Sequence, residues 1–141
     1  MSEMILSKLK FDLYGRLFNQ IIGKGGYLAV CDPQGDNVWQ LDNGGADKMR
    51  TALDQVRADQ GFTAIAGLSG EGFFDLFDQG KVLIQAIDGT GQGPVGWLAA
   101  LIEKEEVSHR DQAAEEFRST LRELASGLSW EYRLNSELEG M

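Results

Sequence analysis

Lys81-Val82-Leu83-Ile84-Gln85-Ala86-Ile87-Asp88 is the stretch that decides the fold. It is a short apolar run, rich in β-branched residues and bounded by Gly80 and Gly89, and it reads as a buried strand. The loop Gly89-Thr90-Gly91-Gln92-Gly93-Pro94 follows. Val95-Gly96-Trp97-Leu98-Ala99-Ala100-Leu101-Ile102 then reads as a second strand, with a helix as the alternative because it has fewer β-branched residues. A glycine-rich loop between two strands is a hairpin signal.

Working outward, Tyr27-Leu28-Ala29-Val30-Cys31 is short enough for another buried strand. Asp32-Pro33-Gln34-Gly35-Asp36 is a turn, with Pro to fix φ and Gly for a positive φ. Asn37-Val38-Trp39-Gln40-Leu41 alternates and reads as the returning strand. Ala46 to Gln60 is helical, with Met49, Ala52, Leu53 and Val56 on one face. Phe62 to Ala66 is expected to be a strand, and Glu71 to Gln79 a short helix burying Phe73, Phe74, Leu76 and Phe77.

Long helices are expected at both ends. From Ser2 to Ile22, Leu6, Leu9, Leu13, Leu17 and Ile21 recur at spacings of three and four and predict one apolar face, which Ile5, Phe18 and Ile22 widen. At the other end, Ser108 and Asp111 form a capping-box pattern, and no proline interrupts the chain from there to Met141. This predicts a helix roughly 50 Å long. Phe117, Leu121, Leu124 and Leu128 make a seam of the coiled-coil kind. Apolar positions resume out of phase at Leu134, Leu138 and Met141, so the seam is expected to shift near Gly127 to Trp130. The organisation predicted is a core over residues 1–107 and a long C-terminal helix over 108–141, continuous with it.

The chain has 141 residues, 43% of them hydrophobic, which suits one domain with one core. Its formal net charge of −9 argues against a nucleic-acid partner. The one cysteine, Cys31, excludes an internal disulfide and a multi-cysteine zinc site, and reads as a small buried hydrophobe. Met1-Ser2-Glu3-Met4 lacks the basic n-region of a signal peptide, and no apolar run approaches the length of about 18 residues that spans a bilayer. A cytoplasmic location without membrane insertion is the expectation.

Motifs for chemistry are weak. Gly91-Gln92-Gly93-Pro94-Val95-Gly96 fits the dinucleotide pattern, but that pattern needs a helix and a further parallel strand after it, so a hairpin loop is the better reading. Asp32 to Asn43 falls short of a calcium loop, with Asn43 where a bidentate Glu is needed. His109 reads as a solvated histidine in a first helical turn. Cys31 and His109 fall in distant elements, with no orienting third group for a nucleophilic pair.

The order of elements resembles a GAF-type sensor domain of bacterial signalling proteins, with PAS domains the nearest competitor. The resemblance is carried by Lys81 to Ile87 and Pro94 to Leu101, similar to the paired late strands of that family. Trp130-Glu131-Tyr132-Arg133-Leu134-Asn135-Ser136-Glu137-Leu138-Glu139 resembles the helical linker into an output domain. The resemblance implies an α+β fold with a central antiparallel sheet of about five strands and the N- and C-terminal helices on one face. It implies a non-catalytic sensory and dimerisation module that relays a signal to a downstream output domain. A homodimer through the terminal helices would then use Phe117, Leu121, Leu124 and Leu128. A ligand pocket would draw on Cys31, Trp39, Gln85, Asp88 and Trp97. No metal is implied, and the cofactor is left unassigned. A scaffold domain without a small ligand is the alternative, and a nucleotide-dependent enzyme using the glycine loop ranks below it.

Overall fold

The computed structural model describes residues 10–22, 26–41, 46–59, 61–62, 64, 67, 70–76, 80–89, 94–103 and 113–139. They form an α+β domain of helices α1 (Phe11–Ile22), α2 (Ala46–Asp59) and α3 (Ala113–Glu139) and strands β1 (Gly26–Cys31), β2 (Asn37–Gln40), β3 (Glu71–Leu76), β4 (Gly80–Asp88) and β5 (Pro94–Glu103). The five strands make one antiparallel sheet in the order β2-β1-β5-β4-β3.

The stretch Lys81 to Asp88 is a strand, and its continuation returns beside it, from Lys81 opposite Ile102 to Asp88 opposite Pro94. β5 also pairs with β1, from Gly26 opposite Ile102 to Cys31 opposite Trp97. It is therefore the central strand and is covered on both faces. That position makes a strand of a Leu- and Ala-rich run whose own propensity is indifferent, because packing against neighbours outweighs intrinsic preference.

The two faces carry separate cores. On one, Leu28, Val30, Leu83, Ile87, Leu98, Ala100 and Ile102 meet Phe11 and Phe18 of α1 and Phe117, Leu121, Leu124, Leu128 and Tyr132 of α3. On the other, Ala29, Cys31, Val82, Ile84, Ala86, Trp97, Ala99 and Leu101 meet Met49, Ala52, Leu53 and Val56 of α2, with Phe62. The terminal helices thus share a face. α1 runs against α3 in the opposite sense. Phe18 stacks edge-on with Phe117 at 5.8 Å between centroids, and nearer the start of α1 Tyr14 donates to Glu131 Oε2 at 2.9 Å. Glu131 Oε1 also accepts the Lys10 amide at 2.8 Å, so one carboxylate holds the beginning of α1. Gly127 allows this approach: a Cβ there would lie 2.9 Å from the Tyr14 ring.

The β1–β2 turn forms as its composition predicts. Asp32 Oδ1 accepts the Gln34 and Asp36 amides at 3.0 and 2.9 Å, and Gly35 adopts φ +92° with the Phe62 ring against it.

Three expectations are corrected. Glu71 to Leu76 is an edge strand paired with β4, where the sequence predicts a short helix. A short aromatic cluster fits either period, and pairing with β4 settles it. Phe74 lies opposite Val82 and is half-buried on the α2 face, while Phe73 lies opposite Leu83 and is 58% exposed. Phe62 and Ala64, expected in a strand, are helical. Phe62 instead stacks on Trp97 at 6.0 Å, just after Gly61 (φ +85°) closes α2 by donating its amide to the Val56 carbonyl at 2.8 Å. Finally, α1 buries Phe11 and Phe18 and leaves Leu13 and Leu17 exposed. Its aromatic edge wins because Gly15 admits the Trp39 ring, 2.7 Å from where a Cβ would stand. The capping box at Ser108 to Asp111, His109, Gly91 to Gly93 and the start of the expected N-terminal helix lie outside the described residues.

Candidate functional site: the groove between β4 and α3

The expected ligand-pocket residues do not converge. Cys31 and Trp97 are buried in the core under α2. Burial pushes the Cys31 thiol up to about 12, and Asp32 and Asp36 add to the rise against the lowering effect of Arg57. A thiol in that state is a poor nucleophile at neutral pH. Trp97 donates its indole N–H to the Pro33 carbonyl at 3.5 Å. Trp39 sits on the opposite face, tilted against Phe11 at 5.8 Å and donating to Asp12 at 3.2 Å. Cys31 lies opposite Trp97 in the core under α2, and Gln85 and Asp88 come together elsewhere, beside α3.

The residues expected at a dimer seam are likewise placed differently. Phe117, Leu121, Leu124 and Leu128 are 2%, 1%, 5% and 0% exposed, packed on the chain's own sheet. The sheet, not a second helix, covers the seam. The buried stripe then runs on through Ser129 and Tyr132 without a break, while Trp130, Leu134 and Leu138 fall on another flank and stay exposed.

Where Gln85 and Asp88 meet α3, a groove of about 260 Å³ opens along the helix. β4 contributes these two residues, and α3 contributes Arg122, Ser126, Ser129, Trp130 and Arg133. The α3 side chains project from one flank because they recur at three- and four-residue steps. Ser129 is buried and its Oγ accepts the Asp88 amide at 2.9 Å, which ties the end of β4 to the helix. Arg133 donates from Nε to the Gly89 carbonyl at 2.9 Å. A Cβ at Gly89 would run into Val95 and Tyr132, so the strand end approaches α3 closely only as glycine.

Towards the start of α3 the groove is followed by a smaller cleft of about 160 Å³, between Phe73, Leu83 and Leu121, with Glu71 and Arg118 at its rim. Glu71, on β3, is held by two guanidiniums. Arg118 donates to its Oε1 from Nε at 3.0 Å and also from Nη2, and Arg122 reaches both oxygens at 3.2 to 3.3 Å. The hydrogen bonds from Arg118, and then those from Arg122, hold the Glu71 carboxyl below the usual carboxylate range. A carboxyl lowered on folding stabilises the native state above its unfolded pKa, and that contribution is lost as pH falls through the folded pKa. Glu71→Gln is therefore expected to lower stability at pH 7, and the gap from wild type should narrow as pH falls into acid below the usual carboxylate range. Urea denaturation at neutral and acid pH checks it, and a gap that persists in acid contradicts it.

Sequence reasoning missed this arrangement. Arg118, Arg122, Ser126 and Arg133 share a helix flank legibly enough, but Glu71 joins them only because β3 is a strand. Among the described residues, no group of three or more His, Cys, Asp or Glu is placed to hold a metal ion, and no helix is long and apolar enough to cross a membrane. In comparisons with known proteins, no family model, no curated protein and no solved structure matches this chain.

Proposed function

We propose that this chain is a non-catalytic regulatory module that associates with a second copy through its terminal helices and relays that state along α3 to an output domain. The observation that carries the reading is where apolar surface is left uncovered. Of the seven large hydrophobics that are exposed among the described residues, five lie on the terminal helices: Leu13 and Leu17 on α1, and Trp130, Leu134 and Leu138 on α3. Leu13 and Leu17 are one helical turn apart, as are Leu134 and Leu138, and such stripes are partner surfaces more often than solvent faces. The resemblance to GAF-type sensors supports the same reading, since in them the terminal helices bear the signal.

The mechanism is mechanical. Glu131 ties the start of α1 to the second half of α3 through Tyr14 and the Lys10 amide. Burial, and then the bond to Glu131, raises the Tyr14 hydroxyl well above its ordinary pKa, so the phenol stays protonated and keeps donating at physiological pH. A partner seated on the exposed stripe would move α3 and α1 together, provided that it binds the two arrangements with different affinity.

The version without a small ligand behind the sheet is favoured by one observation. The face opposite the terminal helices is filled by Met49, Leu53 and Val56 of α2.

Sedimentation velocity on the full chain at micromolar concentration tests the proposal. Wild type is expected to sediment as a dimer and the Leu134→Glu/Leu138→Glu variant as a monomer, with unchanged circular dichroism because both positions are exposed. A monomeric wild type, or a variant that remains dimeric, overturns it.

A further inference from the structure

We propose that the groove between β4 and α3 binds an acidic segment of a partner protein, with Arg122 and Arg133 taking its carboxylates. The proposal goes beyond self-association. It concerns the flank of α3 that faces β4, and it does not require the dimer.

The first support is how the two guanidiniums are held. Arg133 spends its Nε on the Gly89 carbonyl. A guanidinium has five donors in a rigid fork, so the fork is fixed in direction where Arg133 lines the groove. Arg122 is fixed at the other end by Glu71, which it shares with Arg118. Arg118 is approached as well by Glu115 at 4.0 Å, whereas Arg122 stands at the point where the groove begins. Arginine held this way has already lost much of its side-chain freedom, so binding a carboxylate there costs less ordering.

The second support is charge. The chain carries −9 overall. Along the groove, Arg118, Arg122 and Arg133 stand against Glu71 and Asp88. Glu115, which approaches Arg118 at 4.0 Å, lies further up the helix beyond the groove lining. On an acidic molecule, Arg122 and Arg133 are the cations that line this groove, and they draw an anionic ligand to it. The surrounding negative charge disfavours a long polyanion such as nucleic acid, whose phosphates would extend over it. A short acidic peptide meets the groove alone.

The third support is size and lining. The volume of about 260 Å³ is below the usual range of roughly 300–1,000 Å³ for small-molecule sites, and it suits two or three peptide side chains. Ser126 and Gln85 add polar partners between the arginines, and the exposed Trp130 supplies an apolar shelf beside them. Among the described lining residues, Asp88 is the one group that opposes an acidic ligand, and its removal gives the proposal a distinctive signature.

The test is fluorescence anisotropy of a fluorescein-labelled peptide of alternating Glu and Leu, titrated with the full chain at low salt. A dissociation constant below about 1 mM is expected, weakening several-fold as salt rises to about 0.3 M. Arg133→Gln should weaken binding at least tenfold, Arg122→Gln similarly, and Asp88→Asn should tighten it. Arg57→Gln, which lies by the β1–β2 turn and pairs with Asp36 and Asp54, should leave it unchanged. Arg133 has no partner side chain to orphan, so its variant carries the test if Arg122→Gln perturbs the fold. Equal binding of the Gln-for-Glu peptide, an unaffected Arg133→Gln variant, or no binding up to about 1 mM overturns the proposal. The monomeric Leu134→Glu/Leu138→Glu variant should still bind, so failure of the dimer and failure of the groove give different results.

Discussion

Phe117→Ala is expected to destabilise the fold by about 3–5 kcal/mol, the cost of deleting a large buried aromatic and leaving a cavity. Phe117 is 2% exposed and lies edge-on to Phe18, itself fully buried, between α1, α3 and the sheet. Loss of the ring removes its own burial and the aromatic pairing, which adds about 0.5–1.5 kcal/mol beyond area. Against a typical domain stability of about 5–15 kcal/mol this is a large fraction. Urea denaturation followed by circular dichroism measures it. The prediction separates two roles for the seam of α3. A residue waiting for a partner helix would leave the isolated chain's stability nearly unchanged when truncated, and a shift below about 1 kcal/mol would restore the dimer-seam reading. The same logic makes Leu121 and Leu124 unsuitable as probes of association, because a charge at either would be buried in the chain's own core.

Trp97→Ala is expected to cost a similar amount, about 3–5 kcal/mol, for reasons on the opposite face. Trp97 is 3% exposed, stacked on Phe62 at 6.0 Å and centred on β5 opposite Cys31 and Ala86. Its indole N–H reaches the Pro33 carbonyl, so truncation also frees the contact between β5 and the β1–β2 turn. A tryptophan lining an open ligand pocket would be removed with little loss of stability. A measured loss below about 1 kcal/mol would therefore point to a cavity under α2 that the packing of Met49, Leu53 and Val56 argues against.

Much of the fold was legible because the signals were local. Lys81 to Asp88 declares itself a strand by length, branching and flanking glycines. Asp32 to Asp36 declares a turn, because its Asp accepts amides two and four residues on and its Gly takes a positive φ. The helix Ala46–Asp59 buries Met49, Ala52, Leu53 and Val56, the face its spacing predicts. Of the groove, the sequence shows the arginines recurring along one flank of α3, while Gln85 and Asp88 enter only among the pocket residues that the resemblance implies.

The misread parts share a cause, which is that their partners lie far away in sequence. Phe73 and Phe74 fit a helix or a strand equally until β4 pairs with them. Leu13 and Leu17 look like the buried side of α1 until Gly15 lets Trp39 in against the other side. The seam of α3 looks the same whether a sheet or a second helix covers it, since both bury an apolar stripe of that spacing. The sequence by itself determined the α+β class, the central hairpin, the first turn and the amphipathic character of the helices, because each rests on residues within a few positions of one another. Only the tertiary structure decided which stripe is core and which is left exposed, and only it brought Glu71 to Arg118 and Arg122. Burial depends on what the folded chain places opposite, and no local pattern encodes that.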